Sequence, residues 1–301
     1  MTRNASDRLG ALRGGAVLAA FFALTVPLMP VQALLLRLGS GGARAFPHWY
    51  HRQVCRLLGI RIHLDGAVVR DRPVLLVANH TTWLDIPVLS AVAPVSFVAK
   101  KEVGTWPFVS SLARLQRSVF VDRTRRTAVG EAAGEILARL AQGDNIVLFA
   151  EGTSSDGNRV LPFMTSLFAA AKPSGETIAA PDAVVQTLSA VYTRLHGIPL
   201  GRTGRPGVAW YGDMEMRGHA WALLKAGPLD VEIRVGPPVP LASFADRKAL
   251  ARHSEAQVRD HVVRILRARR PDDALTTVAP EDAPSAVRTR AGAAESGQKW
   301  T

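Results

Sequence analysis

Cysteine is nearly absent from this 301-residue chain: Cys55 stands alone, so no disulfide can form within it. A lone thiol suits a reducing compartment, and it excludes the zinc patterns built on several cysteines. Acidic residues are scarce, 25 against 37 lysines and arginines, which leaves a net charge of +12. Such a surplus draws a protein to a polyanion, either nucleic acid or an anionic lipid surface. No recognisable nucleic-acid module accompanies it, so an anionic membrane surface is the expected partner, with no nucleic acid. Also missing are a Gly-x-x-x-x-Gly-Lys phosphate loop, a Gly-x-Ser-x-Gly nucleophile elbow and internal repeats. Those absences remove P-loop nucleotide chemistry, the serine-elbow hydrolases and solenoid architectures.

Among the features present, the longest apolar one runs from Gly14 to Leu36, 23 residues without a charge. Arg3, Arg8 and Arg13 precede it; Arg37 and Arg44 follow. It is long enough to reach across a bilayer, and Pro27 and Pro30 predict either a kinked span or a re-entrant hairpin. A cleaved secretory signal is the competing reading, but no persuasive small-residue cleavage site follows the run. The expected organisation is a membrane segment over 1–45 with basic flanks, one catalytic-sized domain over 46–270 and a tail over 271–301. That tail is rich in Ala, Pro, Asp, Thr and Arg and is expected to be disordered.

Between these ends, short apolar runs alternate with amphipathic stretches. Strands are expected at Ile60 to Leu64, Pro73 to Ala78, Val95 to Lys101, Ser118 to Asp122, Asn145 to Ala150, Val184 to Val191 and Val231 to Val235. Helices are expected at Trp49 to Leu58, Thr82 to Ser90, Trp106 to Leu115, Thr127 to Gln142 and Asp246 to Arg270. The fold class is α/β: a mixed, mainly parallel sheet flanked by helices, behind an N-terminal hydrophobic membrane segment. The helix from Trp49 reads either as an interfacial element with aromatics at headgroup depth or as an ordinary packed helix. Lys100 and Lys101 either reach donor phosphates or sit on a solvated edge.

Three strands end abruptly in polar clusters. Val77-Ala78-Asn79-His80-Thr81-Thr82-Trp83-Leu84-Asp85 puts a histidine on a strand-to-helix turn with an aspartate five positions on. Of the eight histidines only His80 has an acid at that offset. An imidazole needs a carboxylate to fix its tautomer and support the imidazolium, so the pair suits removal of a proton from a hydroxyl. Ser118-Val119-Phe120-Val121-Asp122-Arg123 and Asn145-Ile146-Val147-Leu148-Phe149-Ala150-Glu151-Gly152-Thr153 end in the same manner. In an open α/β sheet the carboxyl ends of parallel strands border the ligand crevice, so the clusters are expected to converge.

This ordered set, over roughly residues 70 to 195, resembles the glycerolipid acyltransferase family typified by lysophosphatidate acyltransferases. The resemblance implies transfer of a fatty acyl group from a thioester to a lyso-lipid hydroxyl, with His80 as general base and Asp85 orienting it. It places Arg123, Glu151, Gly152 and Thr153 in the acceptor-binding blocks. No metal and no bound cofactor are implied; an acyl-carrier protein or coenzyme A thioester is the co-substrate, and acyl-carrier protein a candidate partner. Main-chain N–H groups around Thr81 or Gly152 are candidates for the oxyanion. The implied location is the cytoplasmic membrane, with the site facing the cytoplasm.

The sequence departs from the usual pattern of that family at two blocks. After Glu151-Gly152-Thr153, where an arginine is common, stands Ser154, and Phe163 is followed by Met164-Thr165 rather than by lysine and glycine. A hydroxyl cannot replace a guanidinium's bidentate hold on phosphate. The run Ala150 to Phe163, with Tyr192 to Gly197 and Trp210 to Met214, is similar to the bacterial lyso-ornithine lipid acyltransferase branch, whose acceptor carries a carboxylate and an ammonium. The alternatives are a phosphatidate-forming enzyme and a catalytically inactive membrane lipid-binding protein.

Overall fold

The computed structural model describes residues 2–122, 126–170, 180 and 182–268; Arg123 and the expected 271–301 tail lie outside them. Helix α1 (Thr2–Arg37) runs unbroken through Pro27 and Pro30. Each proline removes one donor, and three-residue spacing puts both losses near one side of the helix, so the helix continues instead of folding back within the run. The chain reverses just beyond it, where Gly39 takes the left-handed conformation, φ 60°. Helix α2 (Gly42–Leu58) then starts well before Trp49, and the expected boundary at 45 falls inside it.

Although α1 is long and apolar enough over Asp7–Arg37 to cross a membrane, part of it belongs to the body of the protein. Its buried Thr25 hydroxyl lies 2.7 Å from the Tyr50 hydroxyl of α2. Buried Gln32 donates to the carbonyls of Ala43 and Leu115, both at 2.9 Å. Gly14 faces helix α6 (Met216–Ala226) so closely that a Cβ there would stand 3.1 Å from the Trp221 ring. Elsewhere along α1 stand exposed apolar residues, among them Phe22, Val26, Val31 and Leu34.

Among the described residues the sheet has nine strands: β1 (Ile60–Asp65), β2 (Val74–Ala78), β3 (Ser96–Lys100), β4 (Val119–Val121), β5 (Ile146–Phe149), β6 (Val184–Leu195), β7 (Ile198–Pro199), β8 (Leu229–Val235) and β9 (Val239–Pro240). The order is β1-β8-β6-β2-β5-β3-β4, with β7 and β9 also paired to β6. Neighbours run parallel along the path except for β8 against β6. The mixed, mainly parallel sheet expected from the sequence is therefore present.

Alternation along β2 builds two core layers, because successive side chains point to opposite faces. Leu75 and Val77 pack with Ile136 and Leu140 of α5 (Arg126–Ala141) and Val258 and Val262 of α7 (Arg247–Arg267). Leu76 and Ala78 pack with Val88 and Leu89 of α3 (Asp85–Val92) and with Cys55 of α2. Helix α4 (Val109–Leu115) lies against α1.

At the end of the sheet remote from the clusters, one carboxylate ties several elements together. Asp144, buried just before β5, accepts from Arg117 at 2.6 and 3.0 Å and from Arg139 at 2.7 Å. Arg44, in the first turn of α2, pairs with it at 2.8 Å and also donates to the Gln142 carbonyl.

Candidate active site

Register brings two of the polar clusters together. Ala78 of β2 pairs with Phe149 of β5 on one side and Leu188 of β6 on the other, so the residues after them emerge side by side. Asn79 extends the ladder beyond the strand: its amide accepts from the Ala190 N–H and donates to the Ala190 carbonyl, both at 2.9 Å. The turn that follows is thereby anchored in the plane of the sheet.

His80 Nδ1 lies 2.8 Å from Asp85 Oδ2. The same oxygen accepts the N–H groups of Thr81 at 2.7 Å and Thr82 at 3.0 Å. Asp85 Oδ2 thus ties down the turn that precedes its helix and holds the histidine with the same atom, while Oδ1 accepts the Tyr192 hydroxyl at 2.9 Å. With a carboxylate oxygen as its partner, Nδ1 of His80 is the donor and Nε2 is left as the lone-pair nitrogen. Asp85 is fully buried whereas the His80 side chain is 20% exposed, so the pair has a sealed side and an open one. The imidazole stacks on Phe149, centroids 4.1 Å apart and planes within 19°. Burial and then the neighbouring carboxylate hold the Tyr192 phenol well above its ordinary range.

Glu151 braces the turn from below. Its buried carboxylate accepts the His80 N–H at 2.7 Å and the Leu161 N–H at 2.6 Å. Burial pushes it up to about 7, against the pull of those two donors. The sequence placed Glu151 among acceptor-binding residues; in the structure both its oxygens are committed to main chain. Gly152 makes the turn with φ 74°, and Thr153 is exposed on the loop.

Of the main-chain N–H groups expected to face the oxyanion, three are already engaged within the protein. The Thr81 and Thr82 amides point at Asp85, and the Gly152 amide points at the Phe149 carbonyl at 3.2 Å. Lys100 is exposed at the end of β3, and Lys101 sits 3.4 Å from Asp122. Arg123 lies outside the described residues.

Several participants were not singled out for a role in this site. In the sequence Tyr192 is only the first residue of the Tyr192 to Gly197 run, just past an expected strand, with no role of its own. Helix α6 was not foreseen, yet its buried His219 receives the Trp83 indole N–H at 3.1 Å, next to the dyad. Ser154 donates its hydroxyl to the Trp210 carbonyl, and the Trp210 N–H donates to the Thr81 carbonyl at 2.9 Å. Arg159 and Arg205 line a small cavity on the other side of the turn, with Thr81, Gly157 and Tyr192.

A histidine backed by a buried carboxylate, and partly exposed at the carboxyl ends of a mainly parallel sheet, suits an enzyme that activates an acceptor hydroxyl. The acyltransferase family model matches residues 59–189, the span that carries the dyad, and the chain belongs to that family of acyl-transferring enzymes. Within it the chain is 49% identical over 251 residues to the lyso-ornithine lipid O-acyltransferase of Brucella abortus, covering 83% of this chain and 94% of that one. The corresponding protein of Rhizobium meliloti is 43% identical, over 85% of this chain and 88% of that one. A 1-acyl-sn-glycerol-3-phosphate acyltransferase of Neisseria meningitidis is 30% identical over 67% of this chain and 76% of that one. The fold matches the crystal structure of the 1-acyl-sn-glycerophosphate acyltransferase of Thermotoga maritima, TM-score 0.62 at 20% identity, over 88% of this chain and 98% of that one.

Proposed function

We propose that the enzyme acylates the free hydroxyl of lyso-ornithine lipid to give ornithine lipid, using a fatty acyl thioester of acyl-carrier protein or coenzyme A. His80 Nε2 takes the proton as the acceptor oxygen bonds to the thioester carbonyl carbon. The tetrahedral intermediate then expels the thiolate, which recovers that proton from the imidazolium. Asp85 supports the positive ring through this cycle, and Glu151 keeps its main chain in place. Base catalysis of this kind supplies about a hundred- to ten-thousand-fold, and positioning adds to it.

The observation that carries the acceptor assignment is Ser154. Where related enzymes present a guanidinium, this chain has a hydroxyl that is already committed to the Trp210 carbonyl. The Brucella and Rhizobium relatives bear the lyso-ornithine lipid name, which supports the same reading. Phosphatidate formation is the second reading, favoured by the Neisseria relative. Arg123, Gly152 and Thr153 complete the acceptor side in this proposal.

We place the enzyme on the cytoplasmic face of the inner membrane, where acyl thioesters are made. The exposed apolar residues of α1 would enter lipid while its Thr25 and Gln32 meet protein, and the basic surplus meets anionic headgroups. The test is full-length enzyme in anionic vesicles with a labelled acyl thioester and each acceptor in turn. Labelled ornithine lipid is the expected product; strong phosphatidate formation with no ornithine lipid would overturn the acceptor assignment.

A further inference from the structure

We propose that Trp210 forms the acceptor-side wall of the catalytic cleft and that Ser154 is the residue that positions it, so that the side chain at 154 selects the acceptor. This inference rests on the lyso-ornithine lipid reading. The Trp210 main chain is gripped from both directions by segments that carry the site. Its N–H reaches the Thr81 carbonyl at 2.9 Å, directly after His80, and its carbonyl accepts the Ser154 hydroxyl. Ser155, the next residue, donates its N–H to the His80 carbonyl at 2.9 Å. The loop after Glu151, the catalytic turn and the Trp210 segment are thus one hydrogen-bonded unit.

The polar edge of the indole is already used, since Nε1 donates to the Met214 carbonyl at 2.8 Å. Its remaining surface is apolar and only partly buried. Trp106 meets it edge to face, centroids 6.2 Å apart at 81°. Two residues on, Phe108 is held at φ 65°, a conformation that β-carbon sterics oppose, and its ring packs against Phe21 and Phe22 of α1. Neighbouring residues of one short segment therefore meet the exposed apolar helix through Phe108 and the Trp210 indole through Trp106.

A phosphorylated acceptor needs a cation at its head group. An arginine at residue 154 would lack the hydroxyl that now donates to the Trp210 carbonyl. In this proposal one replacement both removes the phosphate ligand and adds the bond that positions the indole. An aromatic face matches the methylenes and amide at the neck of lyso-ornithine lipid, next to the hydroxyl that reacts.

The experiment measures kcat and KM for each acceptor with full-length enzyme in mixed micelles at saturating acyl thioester. Trp210→Ala should raise the KM for lyso-ornithine lipid about tenfold with kcat held within about threefold, and leave the lysophosphatidate KM near its original value. Trp210→Phe should recover most of the affinity. Ser154→Ala should move KM in the same direction, whereas Ser154→Thr, which keeps the hydroxyl, should stay close to the unmodified enzyme. A purely structural role would lower kcat for both acceptors alike; that result overturns the wall, as does an unchanged acceptor KM in Trp210→Ala or Ser154→Ala. A preference of the unmodified enzyme for lysophosphatidate is a separate result, one that removes the functional reading and this inference with it.

Discussion

Replacing Asp85 with asparagine separates the charge of the dyad from its geometry. Asp85 receives His80 Nδ1, the Thr81 and Thr82 amides on Oδ2 and the Tyr192 hydroxyl on Oδ1. An asparagine can keep this pattern by turning its oxygen toward the three nitrogen donors and its NH2 toward Tyr192, whose hydroxyl rotates to accept. The histidine then retains its tautomer and position. What disappears is the attraction between an ionised carboxylate and an imidazolium about 4 Å from charge to charge, worth about 4 kcal/mol at an effective dielectric of about 20. If between half and all of the imidazolium charge has developed in the transition state, the loss is about 2–4 kcal/mol, or roughly thirty- to a thousandfold in kcat. The assay is steady-state acyl transfer with both substrates varied, alongside thermal unfolding. Asp85→Asn should lose at least thirtyfold or so in kcat with acceptor KM almost unchanged, and His80→Ala should lose at least about a hundredfold. A folded Asp85→Asn enzyme that keeps more than about a third of its kcat would refute the electrostatic role.

Three further outcomes follow from the same structure. Glu151 is raised by burial from 4.5 to about 7, so its protonation favours the folded state most at low pH, and that contribution is lost as pH rises through 7; the rise corresponds to about 3 kcal/mol. Glu151→Gln, whose side chain does not titrate, should lose this pH dependence, so the stability difference should move in favour of the variant between about pH 5 and pH 8 in denaturant titrations; a difference independent of pH contradicts the assignment. Tyr192→Phe strands a buried carboxylate oxygen and should cost about 1–3 kcal/mol by thermal unfolding while lowering kcat only severalfold; unchanged stability would show that the bond matters little. Phe22→Asp combined with Val26→Asp puts two charges among the exposed apolar residues of α1, at about 2.5–3.5 kcal/mol each in a bilayer core, and should abolish co-sedimentation with anionic vesicles; retained sedimentation at high salt would remove α1 as the anchor.

The dyad was legible in the sequence because an apolar strand that stops in a histidine leaves few places for that residue to go. Glu151 was found for the same reason, but not what it does. A carboxylate at a strand end looks the same in sequence whether it meets a ligand or two amides, and only the register of β2 on β5 decides between them. Tyr192 escaped because burial in β6 hides a phenol among valines, and its partner lies 107 positions away. Helix α6 escaped because Gly218 and His219 interrupt its pattern and its packing partners lie on α1. The unbroken passage of α1 through Pro27 and Pro30 ran against local propensity, and it is backed by buried bonds from Thr25 and Gln32 that no short window contains.

The three arginines that converge on Asp144 impose a direction on how this end of the molecule can diverge. Loss of any one leaves two guanidiniums to satisfy the carboxylate. Loss of the carboxylate first strands several cations at once, a step of roughly 3–5 kcal/mol when a buried pair is broken. Divergent descendants should therefore shed arginines at 44, 117 or 139 before they change residue 144, and a homologue that keeps the arginines with a neutral residue at 144 should carry a replacement acid elsewhere in the cluster. Four positions scattered across the sequence would then record a single constrained history, which can be read by reconstructing the order of their replacements.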